Sequence, residues 1–490
     1  MTAQPLMSFA ALSRTLATAG VAAGVAAGAA VGVAVGIAAG LAVGPALAGE
    51  DSKPKTAEII QRQQSVRPLP GQLDGVLMVN DNNPELITGE GILLSTFPDP
   101  PGLNLPLSGR FDLFSHHVYA GKPESLDSTL WLALVAEPAG DGPVTLELLG
   151  GSTSLSQATR KGQTAAPFLP LPSLMAETSS PIAAGPGSRV AGDLLRGNQA
   201  QELTSRWEIS PGEASPLVVL PIPVAGLDPL LNGRNLQLRL RSSAPVYVAT
   251  LAAYGEGASA PPVSHWQSLL DAGTLSPKEH QPTPRGSKGK IIYSRVSGVQ
   301  IGSLWRATLS DPGSNSLIVQ DKAISWPISS LERGDLGTGQ VQTAELKVFS
   351  EGTAWAAHGN YGVEYDLTLP LHNPGPGSRR VAIALESPFK TGSTSSSLRF
   401  KTPASGPVMF RGPLEVSGLD GANGRPLGRR RLHLVLRQGQ EGPVLGQVTL
   451  APGQSRKVRV RLVYPADATP PQVLTVLPVK QSTSVQRVSP

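Results

Sequence analysis

Two segments near the C-terminus carry basic residues at every second position. Arg429, Arg431, His433 and Arg437 are interleaved with Leu432, Leu434 and Leu436, and Lys457, Arg459 and Arg461 alternate with Val458, Val460 and Leu462. A strand sends successive side chains to opposite faces, so each segment buries an aliphatic row and turns a basic row to water. If the two strands share a sheet, these side chains form one patch suited to anionic envelope polysaccharide, phosphate-bearing polymers or the headgroups of a membrane surface. The same pattern also serves solubility and discourages edge-to-edge pairing.

Other residues with chemical potential read less sharply. His116 and His117 are adjacent, and neighbours on a strand diverge, so they cannot share one ion without a bulge. Glu364 and Asp366 would share a strand face, as glycosidase carboxylates can, and as solvated charges also do. The run Asn80-Asp81-Asn82-Asn83-Pro84-Glu85 offers oxygens for calcium in a turn, or a plain Asx turn ahead of proline. Ser287 and Lys290, like Ser387 and Lys390, match S-x-x-K without a helix start, and the chain has no G-x-S-x-G, H-E-x-x-H or phosphate loop. With no cysteine, disulfides, thiolate metal sites and thiol nucleophiles are excluded. We therefore expect no catalytic residues, metal or cofactor. A net charge of +5 from 41 basic and 36 acidic residues is too slight to point to nucleic acid. Six tryptophans, Trp131, Trp207, Trp266, Trp305, Trp326 and Trp355, are scattered through the chain and read mostly as core or domain-seam residues; one or two exposed beside a basic groove would favour carbohydrate.

The elements that must position these residues are mostly strands. Gly and Pro, 54 and 46 residues, punctuate the chain too often for long helices. Strand-like runs are Gly75–Val79, Gly91–Thr96, Arg110–Tyr119, Leu130–Ala136 and Val144–Leu149; short helices are expected over 188–196 and 264–272, closed by Gly197 and Gly273. Two segment pairs repeat. Leu132–Val135 and Val144–Leu148 flank a Gly-rich turn, as do Leu367–Leu369 and Val381–Leu385; Ser210-Pro211-Gly212 and Ala451-Pro452-Gly453 each lead into a strand. The fold class is thus mainly β: two immunoglobulin-like β-sandwich domains with few short helices. The first spans residues 66–255 with a long insertion at 157–187, and the second spans 286–480, immunoglobulin-like over 361–479. A linker at 256–285 joins them, a flexible lead-in covers 49–65, and a tail covers 481–490.

The first 48 residues read as a signal segment. Nothing is charged between Arg14 and Glu50, Gly20 to Gly44 recur every fourth position, and Ala46-Leu47-Ala48 before Gly49 suits signal peptidase. This run is either a cleaved secretory signal or a retained membrane anchor through residues 15–49. The mature chain is then expected in the periplasm or cell envelope. Its function is expected to be non-enzymatic, through the basic face, with a glycan-acting hydrolase or a protein-assembly and secretion partner as alternatives.

Four stretches are similar to a known family. Val66-Arg67-Pro68-Leu69-Pro70-Gly71, Phe114-Ser115-His116-His117, Tyr361-Gly362-Val363 and Tyr464-Pro465-Ala466-Asp467-Ala468-Thr469-Pro470-Pro471-Gln472-Val473-Leu474-Thr475 resemble the cyanobacterial family of exported proteins known only as domain of unknown function 3370. The resemblance implies export and a unit covering nearly all of the mature chain. It brings no catalytic residues.

Overall fold

The computed structural model describes residues 58–479, apart from 123–127, 158, 161–162, 165–167, 170–181, 184, 228–229, 257–258, 290 and 391–393. The leader, including Ala46, Ala48 and Gly49, and the tail from 480 lie outside the described residues, as does most of the expected insertion. The fold is mainly β, with two helices among the described residues, α1 (Pro186–Arg196) and α2 (Val263–Asp271). Gly197 closes α1 in the left-handed conformation, φ 73°, as a C-terminal glycine should.

Three sheets carry the architecture. The largest has ten strands and is organised by one long strand, Asn232–Tyr254, which we call the spine. The first half of the spine pairs with Leu107–Tyr119 on one side and Val144–Leu155 on the other. Its second half pairs with Gly91–Ser95 and Thr129–Pro138, and Ser215–Pro223 extends the latter. A register break between Ser242 and Val246 separates the halves, as expected where one strand turns a corner between sheet layers. The sheet packs against its own core, which includes Leu134, Leu146, Leu220, Leu238 and Val248.

The second sheet runs Leu304–Thr308, Glu364–His372, Ser455–Val463, Val408–Ser417, Arg430–Arg437. The third runs Ser397–Thr402, Glu58–Val66, Ala323–Ile328, Gln472–Pro478, Arg379–Glu386, Val444–Leu450. Both feed one core: Tyr365, Leu367, Leu434 and Val460 from the second sheet, with Trp326, Ile383, Val448 and Leu474 from the third.

The repeat seen in sequence is a repeat of pairing. Thr129–Pro138, a Gly-rich turn and Val144–Leu155 correspond to Glu364–His372 and Arg379–Glu386. Arg206–Ile209 pairs with Val144–Leu155 and Ser215–Pro223 with Thr129–Pro138; Val444–Leu450 pairs with Arg379–Glu386 and Ser455–Val463 with Glu364–His372. The correspondence extends outward. In the large sheet Val144–Leu155 adjoins the spine, then Leu107–Tyr119, then the parallel strand Leu77–Leu86. In the third sheet Arg379–Glu386 adjoins Gln472–Pro478, then Ala323–Ile328, then the parallel strand Glu58–Val66. These two sets of seven strands share one order of pairing, while their other neighbours differ: Thr129–Pro138 runs antiparallel to the spine and Glu364–His372 parallel to Leu304–Thr308.

Two features differ from the sequence reading. From Glu58 onward the lead-in is not flexible but a strand, held between Ser397–Thr402 and Ala323–Ile328. Its polar sequence suits an inserted strand whose Arg62 meets the buried Glu386. The run Asn80–Glu85 is not a calcium-binding turn but part of the buried strand Leu77–Leu86. Its side chains find partners across the sheet: Asn80 Nδ2 donates to Gln300 at 2.7 Å, and Asp81 meets His117 Nε2 at 2.8 Å and Ser115 Oγ at 3.1 Å. In addition, Val296–Ile301 and Leu346–Phe349 pair into the large sheet from beyond residue 286.

The two copies dock along a seam. Gln237 Nε2 donates to Gly362 O at 2.6 Å, and Phe114 stacks on Tyr361 with centroids 6.3 Å apart. Asp467 accepts from the N–H groups of Gly187 and Ser188 and from Ser188 Oγ, capping α1 from the other copy. Gly362 has φ 79°, and an added Cβ would lie 2.8 Å from the Phe114 ring. Gly362→Ala should therefore cost about 2–4 kcal/mol, from backbone strain plus overpacking. A urea melt checks this; a loss below the error of the fit would show that the seam yields freely.

Candidate functional site: an arginine-faced sheet

The second sheet turns one face to the core and the other outward. In register across five of its six strands lie Arg306, Asp366, Arg461, Glu415 and Arg431, a row of strictly alternating charge. Directly opposed opposite charges contribute about 0.2–1 kcal/mol per pair. Neighbours one step along join the row. Arg459 makes a fork to Asp366, Nε to Oδ1 at 2.6 Å and Nη2 to Oδ2 at 2.8 Å. Arg461 reaches Glu364 at 2.6 and 2.9 Å and Glu415 at 3.1 Å. Arg429 lies 3.1 Å and Arg431 3.2 Å from Glu415. From the spine, Arg239 Nη2 donates to Glu364 at 2.7 Å.

Depth sorts the charges by sign. The Glu364, Asp366 and Glu415 side chains are 11, 6 and 5% exposed, whereas those of Arg306, Arg429, Arg459 and Arg431 are 71, 57, 49 and 44% exposed. Three carboxylates form a floor and these four guanidinium groups a layer above it, with Arg461 and Arg239 deeper at 19 and 22% exposed, so solvent meets cations. Arg306, Arg429 and Arg431 reach the floor through Nε at 3.1–3.2 Å, and a guanidinium has five N–H donors in all. Hydrogen bonding from Arg459, together with Arg306, holds the Asp366 carboxyl below its ordinary value against the opposing effect of burial. A carboxyl so held is ionised at neutral pH and is not a proton donor.

The residues singled out in sequence separate into three groups. Arg429, Arg431, Arg459 and Arg461 gather around the same carboxylates, and Lys457 stands exposed beside them on Ser455–Val463. His433 faces outward in the pattern but is 5% exposed; burial, reinforced by Arg411, pushes it down to about 4, so it adds no charge at neutral pH. α1 packs across Val408–Ser417, the strand beside His433, and closes this end of the face. Arg437 lies six residues beyond Arg431, about 20 Å along the strand, donating to Gly406 O at 2.7 Å. Arg239, Arg306 and Glu415 went unrecognised in sequence, because strand register brings Arg306 and Glu415 to the row and packing of the spine against the second sheet brings Arg239.

His116 and His117 do not cooperate: His117 pairs with Asp81, while burial pushes His116 down to about 3. Glu85, Glu279 and His280 bring three potential ligand atoms within 4.8 Å. Glu85, however, already accepts the N–H groups of Glu279 at 2.6 Å and His280 at 3.2 Å, and so anchors that loop. Among the described residues no helix is long and apolar enough to cross a membrane.

Fold and face together define a cysteine-free, mainly β protein with a twice-used strand plan and an outward guanidinium layer. The chain belongs to the family described as "Protein of unknown function (DUF3370)", whose model matches residues 64–478. No curated protein matches it. Among solved structures it is similar to the N-terminal CBM22-1-CBM22-2 tandem domain of Paenibacillus barcinonensis Xyn10C, at 11% identity over 82% of this chain and 93% of that one. The TM-score of 0.12 is too low for that likeness to carry an argument.

Two outcomes are expected from the carboxylate floor. Glu415→Gln leaves Arg429 and Arg431 without a counter-charge, leaves Arg461 with Glu364 alone, and should lower stability by about 1–3 kcal/mol in a urea melt; an unchanged midpoint would make the row ornamental. Because the folded-state pKa of Asp366 is depressed, its contribution is present above about pH 3.9, the unfolded value, and is lost as pH falls through the folded one. Asp366→Asn should reduce stability at pH 7 and shallow the loss below pH 4, read from melts over pH 2–7.

Proposed function

We propose that this chain is an exported, non-enzymatic protein of the cell envelope that binds anionic envelope polymers or lipid headgroups through its arginine-faced sheet. The observation that carries this reading is the vertical order of the charges. Three acids lie beneath four exposed arginines, Arg306, Arg429, Arg431 and Arg459, while Arg239 and Arg461 sit deeper and pair with the same acids. An anionic polymer approaching the face meets several guanidinium groups at once, and multidentate contact favours phosphate and carboxylate. We read the duplicated strand plan as two immunoglobulin-like sandwich domains, residues 66–255 and 286–480, following a leader over residues 1–48 cleaved after Ala48. The uncharged Gly/Ala run and the Ala46-Leu47-Ala48 ending support export. A hydrolase reading that uses Glu364 and Asp366 is disfavoured because both carboxylates are committed to arginines.

The test is co-sedimentation of the protein with peptidoglycan, an anionic polysaccharide and vesicles with and without anionic lipid. We expect binding to an anionic fraction that weakens about tenfold as salt rises from about 50 to 500 mM. Replacement of Arg429, Arg431, Lys457 and Arg459 by Gln, with Arg461 kept for its structural pairing, should weaken it similarly. Binding that ignores both salt and these substitutions, or no binding to any fraction, would remove the proposal.

A further inference from the structure

A second site lies away from the arginine face and shares no residue with it. The connector between the copies and the segments that follow Ala323–Ile328 enclose a cleft of about 500 Å³, within the size range of small-ligand sites. Its walls are tied together: Thr283 N donates to Ile292 O at 3.1 Å, Ile292 N to Thr283 Oγ1 at 2.7 Å, and Arg333 Nη2 to Ser287 O at 2.6 Å. The cleft is formed before any ligand arrives.

Its lining combines rings with an exposed ion pair. Trp355 is half-buried, and the Arg285 guanidinium carbon sits 4.9 Å from an indole ring centroid. Arg285 is also paired with Glu345, their side chains 66 and 57% exposed. Tyr293 and His358 meet edge to face with centroids 4.5 Å apart, and burial pushes His358 down to about 3, so its ring is neutral. Trp266, Trp305 and Trp326 are core residues, whereas Trp355 opens into this cavity.

This pairing selects a ligand class. An indole offers an apolar plane, with the Arg285 guanidinium over it and the Glu345 carboxylate paired to that guanidinium, so donors and acceptors stand beside the surface that lines the cavity. A purely apolar ligand would leave that ion pair to be desolvated without compensation. An anion would meet Glu345 and Glu332 as well as the arginines. A sugar ring satisfies both surfaces: its C–H face lies on the indole while adjacent hydroxyls bond the ion pair. We propose that the cleft binds a neutral carbohydrate.

The experiment is titration of the full chain with soluble laminarin, dextran, galactomannan and hydroxyethylcellulose, followed by tryptophan fluorescence and calorimetry. We expect saturable binding to at least one, the same at low and high salt and in the Arg429, Arg431 and Arg459 Gln variant, so success or failure is independent of the anionic reading. Trp355→Ala should weaken it by about tenfold or more, and Trp355→Phe by about threefold or less. Should Trp355→Ala melt early, the exposed Arg285→Ala serves instead and should weaken binding at an unchanged melting temperature. The proposal is overturned by absence of binding to all four polymers, by binding undiminished in a stably folded Trp355→Ala or Arg285→Ala protein, or by binding that follows the arginine-face substitutions.

Discussion

The spine strand bears the architecture of the N-terminal copy and half of the seam. Asn232–Tyr254 supplies hydrogen-bonding edges to four other strands, and the break at Ser242–Val246 lets one element serve two layers. Its polar residues are as consequential as its leucines. Arg234 donates to Pro221 O and Thr153, Asn235 to Ser115 O, Gln237 to Gly362 O, and Arg239 to Glu364. Buried polar groups such as Arg234, Asn235 and Gln237 must find partners, and by finding them on different elements these residues and Arg239 fix where the neighbours sit. Arg239 carries the constraint furthest, because its partner also belongs to the arginine face.

That face is an electrostatic solution to an architectural problem. Three carboxylates held nearly out of water would be costly alone. Each is met by at least two guanidinium groups, so the sheet tolerates the acids and acquires an outward positive surface as a consequence. The stretches that carry the family likeness cluster nearby. Phe114, Tyr361-Gly362 and Tyr464 to Asp467 meet at the seam, and Pro70 O accepts from the buried Trp305 beside the same sheet. What they have in common in this structure is docking geometry.

Much of this was legible in sequence wherever the information is local. Strands such as Gly91–Ser95 and Thr129–Pro138 announce themselves by aliphatic runs and turn residues, and both helices by their glycine stops. The alternation at Arg429–Arg431 and Lys457–Arg461 revealed the outward row. What stayed hidden depends on partners far along the chain. Asn80–Glu85 reads as a turn because Gln300 and His117, which satisfy it within a sheet, are not local. Glu58–Val66 reads as a tether for the same reason. The acids at 364 and 366 invited a catalytic reading until register placed arginines across from them, and no periodicity could have matched Glu415 with Arg461.

The place of Glu58–Val66 has a temporal consequence. In the second copy it fills the position that Leu77–Leu86 fills in the first, while Val296–Ile301, the strand just ahead of that copy, pairs with Leu77–Leu86 instead. Its partners, Ala323–Ile328 and Ser397–Thr402, are synthesised hundreds of residues later. Such pairing has high contact order and incurs its loop-closure entropy before any reward. Pairing of this earliest described segment therefore waits on the synthesis of both its partners, and the third sheet lacks the strand between Ser397–Thr402 and Ala323–Ile328 until then.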